Sequence, residues 1–418
     1  MSVKRKAVAS AASSLVAAVF VGACAEMPQG AASASAVWPD LVVHLHGVQS
    51  KAYLVDSRTD AVVAELALET PGTVLGSTTP DGRRVYIGSE FPKGETVTVI
   101  DLERRAVVAR IRTGNRPKHP LVSPDGKWVI VNHWGLDGGK LRVSFIDTAT
   151  NQVAKNIELE VSRDPGTAVT SMHNSWSWDS RYAFTVDRVD NRLVVIDTRD
   201  WSVRFVKTAS APHYPVPSPD GRELWLVVEG RDRQTERPGA IVLELPSLAI
   251  KGRVDMPLEN QDVLEGHHGS FSQDGRLFYM LNRGPGAKMT GTEIVAFDAA
   301  TGALVARAST ASTGIGHAYN TPDGRYVFVT NYGNNVVSIL DAKTLRPARD
   351  LQIGKGRMGH VAFTRDGRFA YVSNAGDGNL HKVDMQRLEV VKEIPTGKAA
   401  GASQVLNVWT NVFEELPR

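Results

Sequence analysis

The stretch Tyr326-Val327-Phe328-Val329-Thr330-Asn331-Tyr332-Gly333, followed by Val336-Val337-Ser338-Ile339-Leu340-Asp341, decides the fold. Its apolar residues alternate with the period of two that puts successive side chains on opposite faces of a strand. A Gly/Asn-rich turn joins the two runs, and an aspartate closes the second, which is the chemistry of tight turns between antiparallel strands.

The same pattern recurs along the chain, so internal repetition sets the architecture. Hairpin turns of the type Pro-Asp-Gly, or close variants, fall at Asp81, Asp125, Asp179, Asp220, Asp274, Asp323 and Asp366. Third-strand endings fall at Asp56, Asp101, Asp147, Asp197, Glu244, Asp298, Asp341 and Asp384. There is one ending more than there are turns. The excess is explained if Leu41 to Leu68 supplies three strands of a blade whose inner strand comes from the C-terminal residues 402–409. Such closure leaves no open sheet edge. The expectation is an all-β propeller of eight four-stranded blades, closed by N- and C-terminal strands sharing one blade. Seven blades would result if the terminal strands lay outside the ring. The repeat resembles the YVTN-type propeller repeat. The long intervals between Asp125 and Asp179 and between Asp220 and Asp274 must carry loop insertions. One of these, Glu229-Gly230-Arg231-Asp232-Arg233-Gln234-Thr235-Glu236-Arg237, reads as a solvated loop.

The chain begins with a targeting pattern. Lys4, Arg5 and Lys6 precede the apolar stretch Ala7 to Ala23, which is too short and too rich in Ala and Ser to span a membrane stably. Val21-Gly22-Ala23-Cys24 resembles the bacterial lipobox, and Cys24 is the only cysteine. The domain expectation is a signal peptide over 1–23, a lipidated flexible tether over 24–36 and a single propeller over 37–418. Ordinary signal cleavage after Ala36 is the competing reading. The implied location is exported and periplasm-facing, held by its lipid at the outer membrane of a Gram-negative cell. A mature chain without a further thiol excludes disulfides, Cys-ligated zinc, iron–sulfur clusters and covalent c-type haem attachment. The net charge of +3 is spread without basic runs, which argues against nucleic acid as a partner.

The histidines carry the chemistry. His119, His173, His268, His317 and His360 each stand six residues before the hairpin aspartate of their own blade. They therefore share one structural position, at the start of the innermost strand and at one mouth of the channel. His267 adjoins His268, and His213 is one residue out of phase. His44, His46 and His133 fall in or beside the loop between second and third strands, which opens on the same face, and together with His213 they are possible additional rim ligands. His381, inside a third strand, lies elsewhere. Each of these rings could be a satisfied structural residue capping loop carbonyls. Five in register plus an adjacent pair suit a borderline metal in a thiol-free site, with copper favoured by affinity. Glu265 and Asp262 are the nearest carboxylates in sequence that could orient the rings. Trp134, Trp176, Trp178 and Tyr319 lie near this face and read as blade packing. No phosphate loop, zinc-binding helix motif or nucleophile elbow is present.

Two families are similar at this position. His267-His268 with His119, His173, His317 and His360 resembles the copper-holding crown of nitrous oxide reductase and thiocyanate dehydrogenase, although those propellers have seven blades. Met172-His173-Asn174-Ser175-Trp176-Ser177-Trp178-Asp179 and Pro212-His213 resemble the distal-pocket segments of the eight-bladed haem-binding propeller of cytochrome-type nitrite reductase and its haem-maturation relative. There the proximal ligand stands where this chain reads Thr73-Val74-Leu75-Gly76-Ser77, without a histidine, so a haem would need another axial ligand such as His119. The leading expectation is a metal centre, copper favoured, on His119, His173, His267, His268, His317 and His360. If the chain is an enzyme, it would be a periplasmic oxidoreductase in which a rim histidine or Lys118 moves protons. The alternatives are a haem carrier or maturation factor and a non-enzymatic interaction scaffold. The implied partners are a metal or small-molecule ligand, the membrane through the anchor, and a redox or maturation protein.

Overall fold

The computed structural model describes residues 40–68, 75–90, 93–230, 237–257, 265–284, 288–397, 401 and 403–407. The export segment, Cys24, the tether and Asp262 lie outside the described residues. The described residues form strands β1 to β32, numbered in chain order, arranged as eight sheets of four.

The ring is closed as the turn count requires. β1 (Leu41–His46) pairs on one side with β2 (Lys51–Asp56), which pairs in turn with β3 (Ala61–Ala67). On its other side β1 pairs antiparallel with β32 (Ser403–Asn407), giving the order β3-β2-β1-β32. The last strand of the chain is therefore the innermost strand of the first blade. Gln404 extends the closure to the next blade, its side-chain carbonyl accepting from the Gly76 amide at 2.9 Å.

The deciding repeat forms β25 (Tyr326–Asn331) and β26 (Val336–Asp341), paired as second and third strands of one blade. Five of the six β25 residues are buried, because blades pack against it from both sides. The outer strand β27 (Pro347–Gln352) has one buried residue, Leu351. A strand covered on both faces carries a continuous run of apolar or small side chains, while a rim strand does not. The core accordingly lies between blades. Phe328 of one blade meets Phe363 of the next edge-on at 5.4 Å, within a cluster that also holds Tyr319, Val361 and Val372.

Each hairpin aspartate forms a repeated clamp. Asp125, Asp220, Asp274, Asp323 and Asp366 accept from a Ser or Thr hydroxyl two residues earlier and from a backbone amide two residues later. The following glycine takes a positive φ, 67° at Gly324, a conformation that side chains disfavour. Ser180 occupies that position at φ 60° in its blade, and its hydroxyl oxygen accepts from the Asp125 amide at 2.9 Å.

Candidate functional site

Seven histidines start the inner strands at one mouth of the channel. His213 lies in β16 (Pro212–Pro217), His267 and His268 in β20 (Gly266–Phe271), His317 in β24 (Ile315–Asn320) and His360 in β28 (Met358–Phe363). His119 and His173 stand two residues before β8 (Leu121–Val122) and β12 (Ser175–Trp176). In β16, β20, β24 and β28 the ladder to the second strand is interrupted at this point. The register jumps from Pro212 to Tyr214, from Gly266 to Gly269, from Ile315 to His317 and from Met358 to Val361. A bulge leaves residues unpaired and re-aims their side chains. Here it releases His213, His267, His268 and His360 from the ladder at the axis.

The rings meet. His119 and His173 have centroids 4.3 Å apart, His173 and His268 4.3 Å, His268 and His317 4.2 Å, and His317 and His360 4.6 Å. His213 and His267 pack behind this chain, 4.4 Å apart, with His267 4.5 Å from His268. Even the most open ring, His360, is only 9% exposed. Thus His119, His173, His267, His268, His317 and His360 are brought together, and His213 joins them despite its phase.

Burial governs their charge. His119, His173, His267 and His360 are held well below the ordinary histidine value, first by desolvation and then by neighbouring histidines and cations. Lys118 opposes protonation of His119 and His360, and Arg283 opposes that of His267. A set of neutral imidazoles presents nitrogen lone pairs, which is what a metal or haem iron requires.

A second ring of residues holds the first. His213 Nδ1 lies 2.7 Å from Glu229 Oε1, and Glu229 also receives Arg188 at 2.6 Å. His317 Nε2 lies 2.8 Å from the Tyr332 hydroxyl, His360 Nδ1 2.6 Å from the Tyr319 hydroxyl, and His267 Nδ1 3.1 Å from the Gly316 carbonyl. Lys118 pairs with Glu90 and sits 3.9 Å over the Trp134 ring, which Arg116 also approaches at 5.2 Å. Arg283 pairs with Glu265. Glu90, Trp134, Arg188, Glu229, Arg283 and Tyr332 each stand nine residues after a hairpin aspartate. That shared phase is the signal by which the sequence could have revealed them. The solvated-loop reading is corrected at Glu229, which is 0% exposed and is the carboxylate that touches the crown, whereas Glu265 is taken by Arg283; residues 231–236 of that loop lie outside the described residues.

Of the possible rim ligands, His213 joins the crown, whereas His44, His46 and His133 are engaged elsewhere. His44 packs against Tyr53 and lies 2.7 Å from Thr396 Oγ1, with His46 6.2 Å away and His381 near enough to oppose its protonation. His133 bridges the Arg142 carbonyl at 2.9 Å and the Thr113 hydroxyl at 3.2 Å. The aromatic residues divide as well. Trp176 and Trp178 donate their indole N–H groups to the carbonyls of Leu121 and Ser218 and pack in the blades, while Tyr319 reaches His360 and Trp134 stands at the cationic rim.

Sequence comparison identifies relatives of this arrangement. The YNCE-like beta-propeller family model matches residues 287–411. Protein NirF of Pseudomonas aeruginosa is 27% identical over 235 residues, 50% of this chain and 59% of that protein. Dihydro-heme d1 dehydrogenase of the same organism is 30% identical over 280 residues, 65% of this chain and 42% of that protein. The C-terminal part of this chain is thus similar to a YNCE-like β-propeller, and longer stretches of it are similar in sequence to both relatives. The matches span between about two fifths and three fifths of those relatives' lengths. The solved structure of dihydro-heme d1 dehydrogenase NirN in complex with DHE superposes with a TM-score of 0.71 at 24% identity, covering 89% of this chain and 75% of that one. It shares the propeller fold. The expectation of copper finds no support among these homologues; the relative named for its chemistry acts on a haem.

Proposed function

We propose that the propeller binds a haem-type tetrapyrrole at its histidine-lined face, as a carrier, maturation factor or enzyme of tetrapyrrole chemistry. The observation that carries this reading is sequence similarity to dihydro-heme d1 dehydrogenase, combined with the crown of buried imidazoles at one channel mouth. The residues fit the group. Axial ligation needs an uncharged imidazole, and burial holds His119 and His360 well below the ordinary histidine value, uncharged at neutral pH. His119, His317 and His360 are the candidate donors, with His360 the most accessible of the three. In the tautomer with its proton on Nδ1, His360 donates to the Tyr319 hydroxyl and carries its lone pair on Nε2, so Tyr319 acts as the orienting partner. Arg116 and Lys118, stacked on Trp134, offer positive charge and an aromatic surface to the carboxylate side chains and ring of such a ligand. A bound haem supplies redox and ligand-binding chemistry at its iron; the protein supplies orientation and exclusion of water.

Export to the periplasm with lipidation at Cys24 belongs to the same proposal and rests on the N-terminal sequence. The test is titration of the purified chain with ferric protoporphyrin IX and with the dihydro form of haem d1, followed through the Soret band. The expected result is saturable uptake of one equivalent with a nitrogen-ligated spectrum, weakened at least about tenfold in His360→Ala or His317→Ala. Failure to bind either tetrapyrrole saturably refutes the reading and leaves the interaction-scaffold role in its place.

A further inference from the structure

We propose that His173, His213 and His268 form a site for a single divalent first-row transition-metal ion. One ring nitrogen from each of the three lies within 4.8 Å of the others. Their ring centroids are 4.3, 5.1 and 5.2 Å apart, and none of the rings is more than 4% exposed. The three come from the inner strands of consecutive blades, next to β12, in β16 and in β20. Their spacing is thus set by the packing of sheets rather than by one loop.

A second observation points to a cation there. The Glu229 carboxylate stands behind His213, 2.7 Å from Nδ1, and is itself fully buried and held by Arg188. That contact fixes the proton on Nδ1 and puts the lone pair on Nε2, which is the arrangement that orients a metal-ligating histidine and raises its basicity. Arg188 already neutralises Glu229, so the carboxylate needs no histidine for its own satisfaction. On the other side of the trio, Tyr214 lies 4.9 Å from His173 and 5.4 Å from His268 and walls the site with an aromatic ring.

The donor set decides the class of ion. Three imidazoles without thiolate suit zinc, copper, nickel or ferrous iron, and the scarcity of oxygen donors excludes calcium and magnesium. Three protein ligands leave a fourth position for water or a small anion, as in open rather than closed zinc sites. The trio does not use His119, His317 or His360, so the site does not rest on the tetrapyrrole reading.

The experiment uses the full mature chain stripped with chelator and titrated with cobalt(II), read by its visible d–d absorption, and with zinc(II), read by calorimetry. One equivalent is expected. Glu229→Gln should weaken binding about 10- to 100-fold and His213→Ala more than that, while His46→Gln, outside the trio, leaves affinity unchanged. Far-ultraviolet circular dichroism of each variant establishes that the propeller is folded. No stoichiometric uptake by the folded parent chain, or equal affinity in His213→Ala, Glu229→Gln and the parent, overturns the proposal. Cobalt uptake without haem uptake refutes the tetrapyrrole reading alone, and haem uptake without cobalt uptake refutes this one alone.

Discussion

Acidification should unfold this propeller well before its carboxylates are protonated. The reasoning is clearest at two buried histidines outside the crown. His44 is lowered to about 3, first by desolvation and then by His46 and His381, with Tyr53 stacked on its ring. His133 is lowered to about 4, again chiefly by desolvation, against the opposing pull of the Arg142 carbonyl and Asp137 and with the push of the Arg142 guanidinium. In the unfolded chain both return to 6.5. Below that pH the unfolded state binds more protons than the folded one, so stability falls as pH drops. The loss continues to about 4 for His133 and about 3 for His44, where the folded rings also protonate. Each pH unit costs about 1.4 kcal/mol per ring, so between about pH 7.5 and about pH 5 each ring removes about 2 kcal/mol and the pair about 4. His119, His173, His267 and His360 are shifted in the same direction and add to this. Since a domain's whole stability is about 5–15 kcal/mol, the effect is large. Urea unfolding at the two pH values, followed by tryptophan fluorescence, measures it. His133→Gln removes one titrating ring, so the difference between its own two stabilities should be about 2 kcal/mol smaller than the parent's. A parent chain equally stable at both pH values, or a His133→Gln chain with the parent's full pH dependence, refutes the argument.

Other expected outcomes follow from single contacts. Asp323→Ala removes the acceptor shared by Thr321 Oγ1 at 2.6 Å and the Arg325 amide at 3.0 Å and should cost about 1–3 kcal/mol, read as a lower melting temperature. Gln404→Leu leaves the buried Gly76 amide without its acceptor and should cost about 1–3 kcal/mol, measured by urea unfolding. Deleting the chain from residue 401 onward removes β32 and exposes β1 as a sheet edge, so the product should lose cooperative unfolding and associate on gel filtration. Cys24→Ser should abolish incorporation of labelled palmitate and release the chain from the membrane fraction; continued labelling would sink the lipoprotein expectation.

The blade count was legible because a closed propeller forces a sequence mismatch. Three strands at Leu41–Ala67 without an inner partner, and one strand at Ser403–Asn407 without a blade, can be satisfied only by each other. The crown was legible for a related reason. The hairpin aspartate is locked to its strand by its own Ser or Thr clamp, so a fixed offset from it marks a fixed height on the inner strand. His119, His173, His268, His317 and His360 share that height and meet in space. His213 breaks the phase by one residue yet belongs to the group. A bulge absorbs the difference, and bulges leave little trace in an alternation of apolar and polar residues.

The supporting ring was harder to read because its members share a position and not a chemistry. Glu90, Trp134, Arg188, Glu229, Arg283 and Tyr332 keep one offset from the hairpin aspartate but alternate among acid, base and aromatic. A repeat detected by residue type passes over such a set. Physically the variation is what an asymmetric site needs. Identical blades would present eight equivalent groups to the axis, whereas a ligand with distinct edges requires acids at some blades and bases at others. The acid of this ring at Glu229 stands behind His213, whereas the base at Arg283 stands beside His267, whose protonation it opposes. Function in this propeller therefore resides in the departures from its repeat, and the residues nine positions after each hairpin aspartate are where substitution should separate binding from folding.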